Sequence, residues 1–222
     1  SHIGDRALMR QCVEKLRKGD IWSEGTPAFV QIVTYSGHGP FRLPESEKKI
    51  KIKPGTPQIM ADYMQTARYT DEALGLIIAY LRSRDDWEDT MVVITGDHEG
   101  LAAWREECLA SELGRKYVSK EQYVPLIILN SPLPGRGTKV IGQVDIYSTI
   151  LHLMGLSNYS WPGIGYSALD TIHPGMAISP QSEIVTLQNS VNENIARRLR
   201  QASDISDRII RYNLLSPKVN SH

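Results

Sequence analysis

Phenylalanine, charge of one sign and long apolar runs are all scarce in this sequence, and each scarcity excludes a class of function. Only 2 of the 222 residues are Phe and 7% are aromatic, so the chain lacks the composition of a base-stacking surface. Basic and acidic residues number 25 each, without a dense basic block, which argues against a nucleic-acid partner. The longest apolar run, residues 73–81, is far too short to span a bilayer. What remains is the composition of a globular α/β domain.

Cysteine is equally scarce, since Cys12 and Cys108 are the only two. They could form one disulfide, but a single candidate pair does not identify the redox compartment, and we expect two buried thiols. The first residues contain no basic segment followed by an apolar one, so no signal peptide is predicted there.

The stretch MVVITGDHEG, residues 91–100, is the most informative part of the sequence. Residues 91–95 are apolar and β-branched, which predicts a strand buried on both faces. Asp97 and His98 follow at once, at the end of a strand where open α/β sheets bind their ligands. A carboxylate oxygen beside an imidazole nitrogen suits Zn²⁺ or Mn²⁺. The alternative is that Asp97 caps the next helix while His98 fills a polar niche.

A second strand with a histidine after it has the same organisation. Residues 28–34, AFVQIVT, predict another buried strand, and His38 follows between Gly37 and Gly39. Neither neighbour has a side chain that could pack around the imidazole, so a role in a site is favoured over core packing.

The helix between these two strands predicts how they pair. Apolar residues recur at three- and four-residue spacing over residues 57–84, which predicts one long helix. A strand, a helix and a strand in succession favour a right-handed crossover and a parallel pair. That topology would bring His38 to the same sheet edge as Asp97 and His98.

The remaining predicted elements surround this unit. Asp5 is expected to cap a helix reaching residue 18, and His152 and His173 are assigned no ligand role. Further strands are predicted at residues 124–130 and 183–187, and further helices at residues 102–113, 144–154 and 191–211.

Together these residues resemble the carboxyl-terminal portion of a sulfatase-type domain of the alkaline phosphatase superfamily. The branch they resemble contains lipoteichoic acid synthases and related phosphoglycerol or phosphoethanolamine transferases. The stretches that carry the resemblance are residues 31–41, 63–81, 92–100, 124–128 and 142–156, followed by the Gly-rich residues 162–169. The resemblance implies a three-layer α/β/α sandwich with a mostly parallel sheet, in which residues 1–222 form the carboxyl-terminal portion of one catalytic domain.

The resemblance also implies roles for three residues. Asp97 and His98 match the family's two downstream ligands for Mn²⁺, Mg²⁺ or Zn²⁺, and His38 matches the histidine that hydrogen-bonds the substrate's phosphate. Such an ion polarises phosphoryl oxygens and lowers the pKa of a nucleophile. The implied substrate is a phospholipid head group or a glycerol-phosphate polymer, and the implied location is outside the cytoplasmic membrane.

One departure from the family pattern is equally important. The family's acidic metal ligand and threonine nucleophile come from a region that would precede Asp5, and neither Thr34 nor Thr95 has the expected context. We therefore expect a truncated piece of a membrane-anchored protein that is inactive by itself. Two alternatives stay open, a sulfuric ester hydrolase and a non-catalytic binding domain that keeps the fold.

Overall fold

The computed structural model describes residues 4–22, 25–119, 123–160, 163–179 and 181–215, and it divides the chain into two compact units. Residues 1–130 form the first unit and residues 131–222 the second. Helices and strands occur in both, in agreement with the predicted α/β class. Within the described ranges no helix is both long enough and apolar enough to cross a membrane.

The first unit is built on two packed helices. Helix α1 covers Asp5–Arg17 and helix α2 covers Gln58–Arg82, close to the predicted bounds. Their apolar faces bury Met9 and Leu16 of α1 against Ala73 and Ile77 of α2. Periodic apolar residues are a strong local signal for a helix, so both elements could be placed from the sequence.

The remaining elements of the first unit are short. Strands β1, Val92–Thr95, and β2, Leu126–Leu129, form a two-stranded sheet. Helices α3, Arg105–Ala110, and α4, Glu112–Tyr117, lie between them in the chain. The described part of this unit also contains single 3₁₀ turns at Glu45–Glu47, Trp87–Asp89 and Ala102–Trp104.

The second unit contains two helices and a small sheet. Helix α5 covers Asp145–Leu153 and helix α6 covers Glu193–Arg211. Strands β3, Met176–Ile178, and β4, Ile184–Thr186, pair antiparallel. The predicted Gly-rich segment at residues 162–169 falls in this unit, although Pro162 lies outside the described residues.

The prediction for residues 28–34 is wrong. These residues form no strand, and two of their apolar side chains face outward, with Phe29 87% and Val33 73% exposed. A strand needs a hydrogen-bonding partner, and β1 pairs antiparallel with β2 through Val92↔Leu129. The predicted parallel pair between residues 28–34 and 91–95 is therefore absent. β1 itself is confirmed, but it is half-buried and ends in an exposed Thr95 instead of being buried on both faces.

Asp5 also differs from its predicted role. Gly4 is the cap residue of α1, and Asp5 is the first helical residue, with no exposed surface. Its carboxylate accepts hydrogen bonds from residues distant in the sequence, because the loop after residue 34 and helix α2 both come to its side.

The two cysteines are free thiols, as expected. Cys108 is fully buried, and Cys12 is half-buried against the α1–α2 core. Burial raises the pKa of the Cys12 thiol, because a thiolate loses hydration there.

Candidate functional site

Asp97 and His98 form an exposed tip two residues beyond the end of β1. The Asp97 side chain is 86% exposed and that of His98 66%. The Asp97 carboxylate accepts a hydrogen bond from the His98 backbone N–H at 2.9 Å. His98 Nε2 then lies 3.5 Å from Asp97 Oδ2.

The tautomer of the neutral His98 ring follows from the contact that Nδ1 makes. His98 Nδ1 lies 3.0 Å from the backbone oxygen of Glu99. A carbonyl oxygen can only accept, so Nδ1 carries the hydrogen, and the neutral ring keeps its lone pair on Nε2. A ligating histidine usually donates its other N–H in this way, to a backbone carbonyl or a carboxylate.

Arg105 anchors the residue that follows this tip. The Glu99 carboxylate forms an ion pair with the Arg105 guanidinium, and the two side chains are only 14% and 13% exposed. Arg105 also donates to the backbone oxygen of Ser119 at 2.5 Å. The exposed Asp97–His98 pair therefore follows β1 on one side, and on the other side the next residue, Glu99, is held to the start of α3.

His38 lies on a tight turn. The turn is closed by a hydrogen bond of 3.0 Å from the His38 N–H to the Tyr35 oxygen. The Tyr35 and His38 rings are parallel, with centroids 5.6 Å apart. His38 Nδ1 lies 2.8 Å from the Gly39 oxygen, so this ring also keeps its lone pair on Nε2 when neutral. The side chain is exposed and is not part of a core.

Three aromatic residues lie between the two histidine-bearing loops. Phe41, which is 1% exposed, contacts Tyr63 and Trp104 edge to face, with centroid distances of 5.2 Å in both cases. We refer to these three rings as the aromatic cluster. Gly39 packs so closely on Trp104 that a Cβ there would come within 2.4 Å of the indole, and Gly100 packs equally closely on Tyr63. The loops that carry His38 and His98 thus contact one cluster. Their union in a single binding site stays a prediction.

The charge of Glu99 also affects the pKa of Tyr63, a member of the aromatic cluster. Burial raises the pKa of the Tyr63 hydroxyl, and the nearby Glu99 carboxylate raises it further. The Tyr63 hydroxyl is therefore neutral at physiological pH, and it can donate a hydrogen bond.

Asp97 and His98 suit a divalent ion by donor type, but they are only two ligands. Among the residues that the structure describes, no group of three or more His, Cys, Asp or Glu side chains is arranged to hold a metal. A structural or catalytic zinc site has at least three protein ligands. These two residues could thus contribute to a metal centre without completing one.

Sequence reasoning missed a buried histidine in the second unit. His173 Nε2 lies 3.1 Å from Asp145 Oδ2, and His173 Nδ1 accepts from the Gly175 N–H at 3.0 Å. Asp145 accepts two further bonds, from the N–H groups of Gly142 and Tyr166, both at 2.8 Å. The signal available in the sequence was an aspartate opening a helix, but its partner lies 28 residues away.

The contacts of this buried pair are those of a structural tie. A cavity of about 270 Å³ lies beside it and is lined chiefly by apolar residues, among them Met176 and Leu199. The carboxylate and both ring nitrogens are already hydrogen-bonded to protein groups. His152, for which a surface or packing role is expected, is half-buried and hydrogen-bonded to Ser167 at 3.0 Å.

Several curated proteins are similar to this chain in sequence. Lipoteichoic acid synthase 1 of Bacillus subtilis strain 168 is 24% identical over 240 residues, which cover 96% of this chain and 36% of that protein. Lipoteichoic acid synthase of Staphylococcus aureus strain USA300 is 31% identical over 143 residues, covering 61% and 22%. The chain therefore spans about a third or less of these relatives.

A solved structure and a family model agree with those relatives. A crystal structure described as a protein in the alkaline phosphatase superfamily from Vibrio parahaemolyticus superposes with a TM-score of 0.63 at 16% identity. It covers 97% of this chain and 56% of the Vibrio chain, which confirms the predicted fold class. The family model named Sulfatase matches residues 3–156. By that match the chain belongs to the sulfatase family.

Proposed function

We propose that residues 1–222 form part of a metal-dependent phosphotransferase or phosphodiesterase domain acting on phosphoglycerol- or phosphoethanolamine-like head groups. Asp97 and His98 bind a divalent ion, Mn²⁺, Mg²⁺ or Zn²⁺, and His38 binds the substrate's phosphate. The observation that carries the proposal is the exposed Asp97–His98 pair, with Oδ2 and Nε2 3.5 Å apart.

The geometry of that pair supports metal ligation. Two atoms each about 2.1 Å from one tetrahedral ion lie about 3.4 Å apart, which is near the observed separation. The Glu99 oxygen holds the Nδ1 hydrogen of His98, so Nε2 is the nitrogen left for the ion. When bound, the ion would polarise a phosphoryl oxygen and lower the pKa of a nucleophile.

His38 has a more restricted chemistry. Its Nδ1 hydrogen is directed to the Gly39 oxygen, so the neutral ring has no hydrogen on Nε2 to give to a phosphate. Nε2 donates only when the ring is an imidazolium, which adds a positive charge opposite the phosphate.

The proposal assigns no nucleophile within these residues. Thr95 is exposed, and its hydroxyl donates a hydrogen bond of 3.4 Å to the backbone oxygen of the next residue, Gly96. We infer that the covalent catalyst and an acidic ligand lie in other parts of a larger domain, to which both units belong. Turnover by residues 1–222 alone should then be weak or absent.

The relatives suggest a setting for that larger domain. They are named lipoteichoic acid synthases, which suggests a glycerol-phosphate polymer or a phospholipid head group as substrate. We propose that the parent protein is membrane-anchored and presents this domain outside the cytoplasm.

Calorimetric titration of the chain with Mn²⁺ tests the metal assignment. We expect one weak site that is lost in both Asp97→Ala and His98→Ala, while Asp207→Ala is the matched control, because that exposed carboxylate pairs only with the helical Arg211 in the contacts described. Equal Mn²⁺ affinity in all four proteins would refute the assignment and favour a non-catalytic binding domain.

Turnover assays separate the two enzymatic alternatives. A bis-p-nitrophenyl phosphate assay and a p-nitrophenyl sulfate assay should both give little product with this chain. Robust phosphodiester cleavage that disappears in Asp97→Ala would contradict the expected inactivity, and robust sulfate release would favour a sulfuric ester hydrolase.

A further inference from the structure

The carboxylate of Asp5 holds the turn that carries His38. We propose that Asp5 is a positioning residue for phosphate binding by His38, an inference that rests on the proposed function. Asp5 has no exposed surface and cannot contact a substrate itself. Its influence must pass through the residues that donate hydrogen bonds to it.

Three groups donate to the Asp5 carboxylate from two other segments. Oδ1 accepts from the Tyr35 N–H at 2.7 Å and from the Ser36 N–H at 3.1 Å. Oδ2 accepts from the Thr70 hydroxyl of α2 at 2.7 Å. In the opposite direction, the Asp5 backbone N–H donates to the Ser36 hydroxyl at 3.1 Å. Asp5 thereby links the start of α1, the His38 turn and the middle of α2.

These hydrogen bonds hold the turn that carries His38. Tyr35 supplies the oxygen that closes the turn at His38, and its ring stacks on the imidazole. The segment before it, residues 28–34, forms no strand and has no ladder to fix its position. Asp5 therefore supplies the fixed point on the amino-terminal side of His38, and the Gly39–Trp104 contact supplies one on the other side.

Two accepting oxygens suit this position. Oδ1 faces the backbone N–H groups of Tyr35 and Ser36, and Oδ2 also accepts from the Ser36 N–H at 3.2 Å, so both oxygens must accept. In Asp5→Asn an amide NH2 group replaces one oxygen, and in either orientation its hydrogens face a backbone N–H, that of Tyr35 or that of Ser36. We then expect the imidazole of His38 to sample several orientations, which weakens a preorganised anion site.

The test measures binding of sn-glycerol 1-phosphate to the whole chain, followed by NMR of the His38 ring. His38→Ala should lower the affinity about tenfold, the value of one charge-assisted hydrogen bond. Asp5→Asn should lower it by about fivefold, and the double variant should be no weaker than His38→Ala alone, because both changes remove the same interaction.

Variants of two threonines in α2 keep the test decisive if Asp5→Asn fails to fold. Thr70→Val removes a single donor to Asp5 and should lower the affinity about twofold to threefold, less than loss of the whole carboxylate. Thr66→Val is the matched control, since Thr66 is fully buried and its hydroxyl bonds only the Tyr63 oxygen of its own helix in the contacts described. It should leave the affinity unchanged.

The outcomes distinguish the two proposals. If His38→Ala weakens binding while Asp5→Asn and Thr70→Val bind like Thr66→Val, Asp5 is only a stabilising residue and the inference is overturned. A loss in the double variant equal to the product of the two single losses would also overturn it. If His38→Ala itself binds normally, the proposed role of His38 fails, and the inference fails with it.

Discussion

Replacing Arg105 with methionine would leave a nearly buried carboxylate without its partner beside the candidate metal ligands. Glu99 and Arg105 are 14% and 13% exposed. Removing one member of a buried ion pair costs about 3–5 kcal/mol, because the remaining charge stays desolvated. Since some solvent still reaches this pair, we expect Arg105→Met to cost about 3 kcal/mol. For a chain of this length that corresponds to a fall of about 6–12 °C in Tm.

An exposed arginine gives the comparison. Arg211 pairs with Asp207 on α6, and the two side chains are 64% and 62% exposed. Ion pairs of this kind contribute less than about 1 kcal/mol, so Arg211→Met should leave Tm almost unchanged. Adding Glu99→Gln to Arg105→Met should restore part of the loss, because no orphan charge remains. Thermal and urea denaturation, both followed by circular dichroism, measure Tm and the free energy of unfolding of these variants.

The same variant also tests the link to metal binding. The Glu99 backbone oxygen holds His98 Nδ1 at 3.0 Å, so releasing the Glu99 side chain should disorder the His98 ring. Mn²⁺ affinity should fall in Arg105→Met and stay unchanged in Arg211→Met. Arg105→Met with the stability of Arg211→Met would refute the argument that burial gives this pair its importance.

Three further outcomes are expected. Gly100→Ala should cost about 1–3 kcal/mol in urea denaturation, since its Cβ would come within 2.4 Å of the Tyr63 ring. Cys108 should react with Ellman's reagent only after unfolding, because burial, followed by nearby carboxylates, raises the pKa of its thiol; fast reaction in the folded chain would contradict this. A hydrogen bond from Lys49 holds the pKa of Glu72 below its usual 4.5, so its contribution to stability is present above that pH and is lost on acidification. The Glu72→Gln variant should therefore lose less stability than the native chain between pH 5 and pH 3, and an identical pH profile would contradict the assignment.

Elements that depend on local sequence were predictable here, and elements that depend on distant partners were not. The apolar period of α2 lies within its own 25 residues, and its bounds were predicted to within two residues. Residues 28–34 have an equally apolar composition, yet composition does not supply a neighbouring strand. β1 pairs with β2, and no strand in the described part of the chain pairs with residues 28–34.

The same distinction applies to the buried carboxylates. Asp5 and Asp145 each open a helix, which predicts a cap or a favourable charge at the helix start. In the structure both are hubs whose partners lie up to 65 residues away, at Thr70 for Asp5, and 28 residues away, at His173 for Asp145. A sequence pattern shows where a carboxylate sits on its own helix, but it does not show which loops will fold over it.

The glycines beside the candidate site have a role that their conformational freedom alone does not reveal. In a sequence, glycines such as Gly39 and Gly100 are typical of tight bends. The structure gives them a second function, because the Trp104 and Tyr63 rings occupy the space that a Cβ would need. Close approach to the aromatic cluster, more than freedom of the backbone, therefore brings the loop of His38 and the loop of His98 to common neighbours. It follows that the cluster limits how far the two histidines can separate, and that a change in any of its three rings should disturb both loops together.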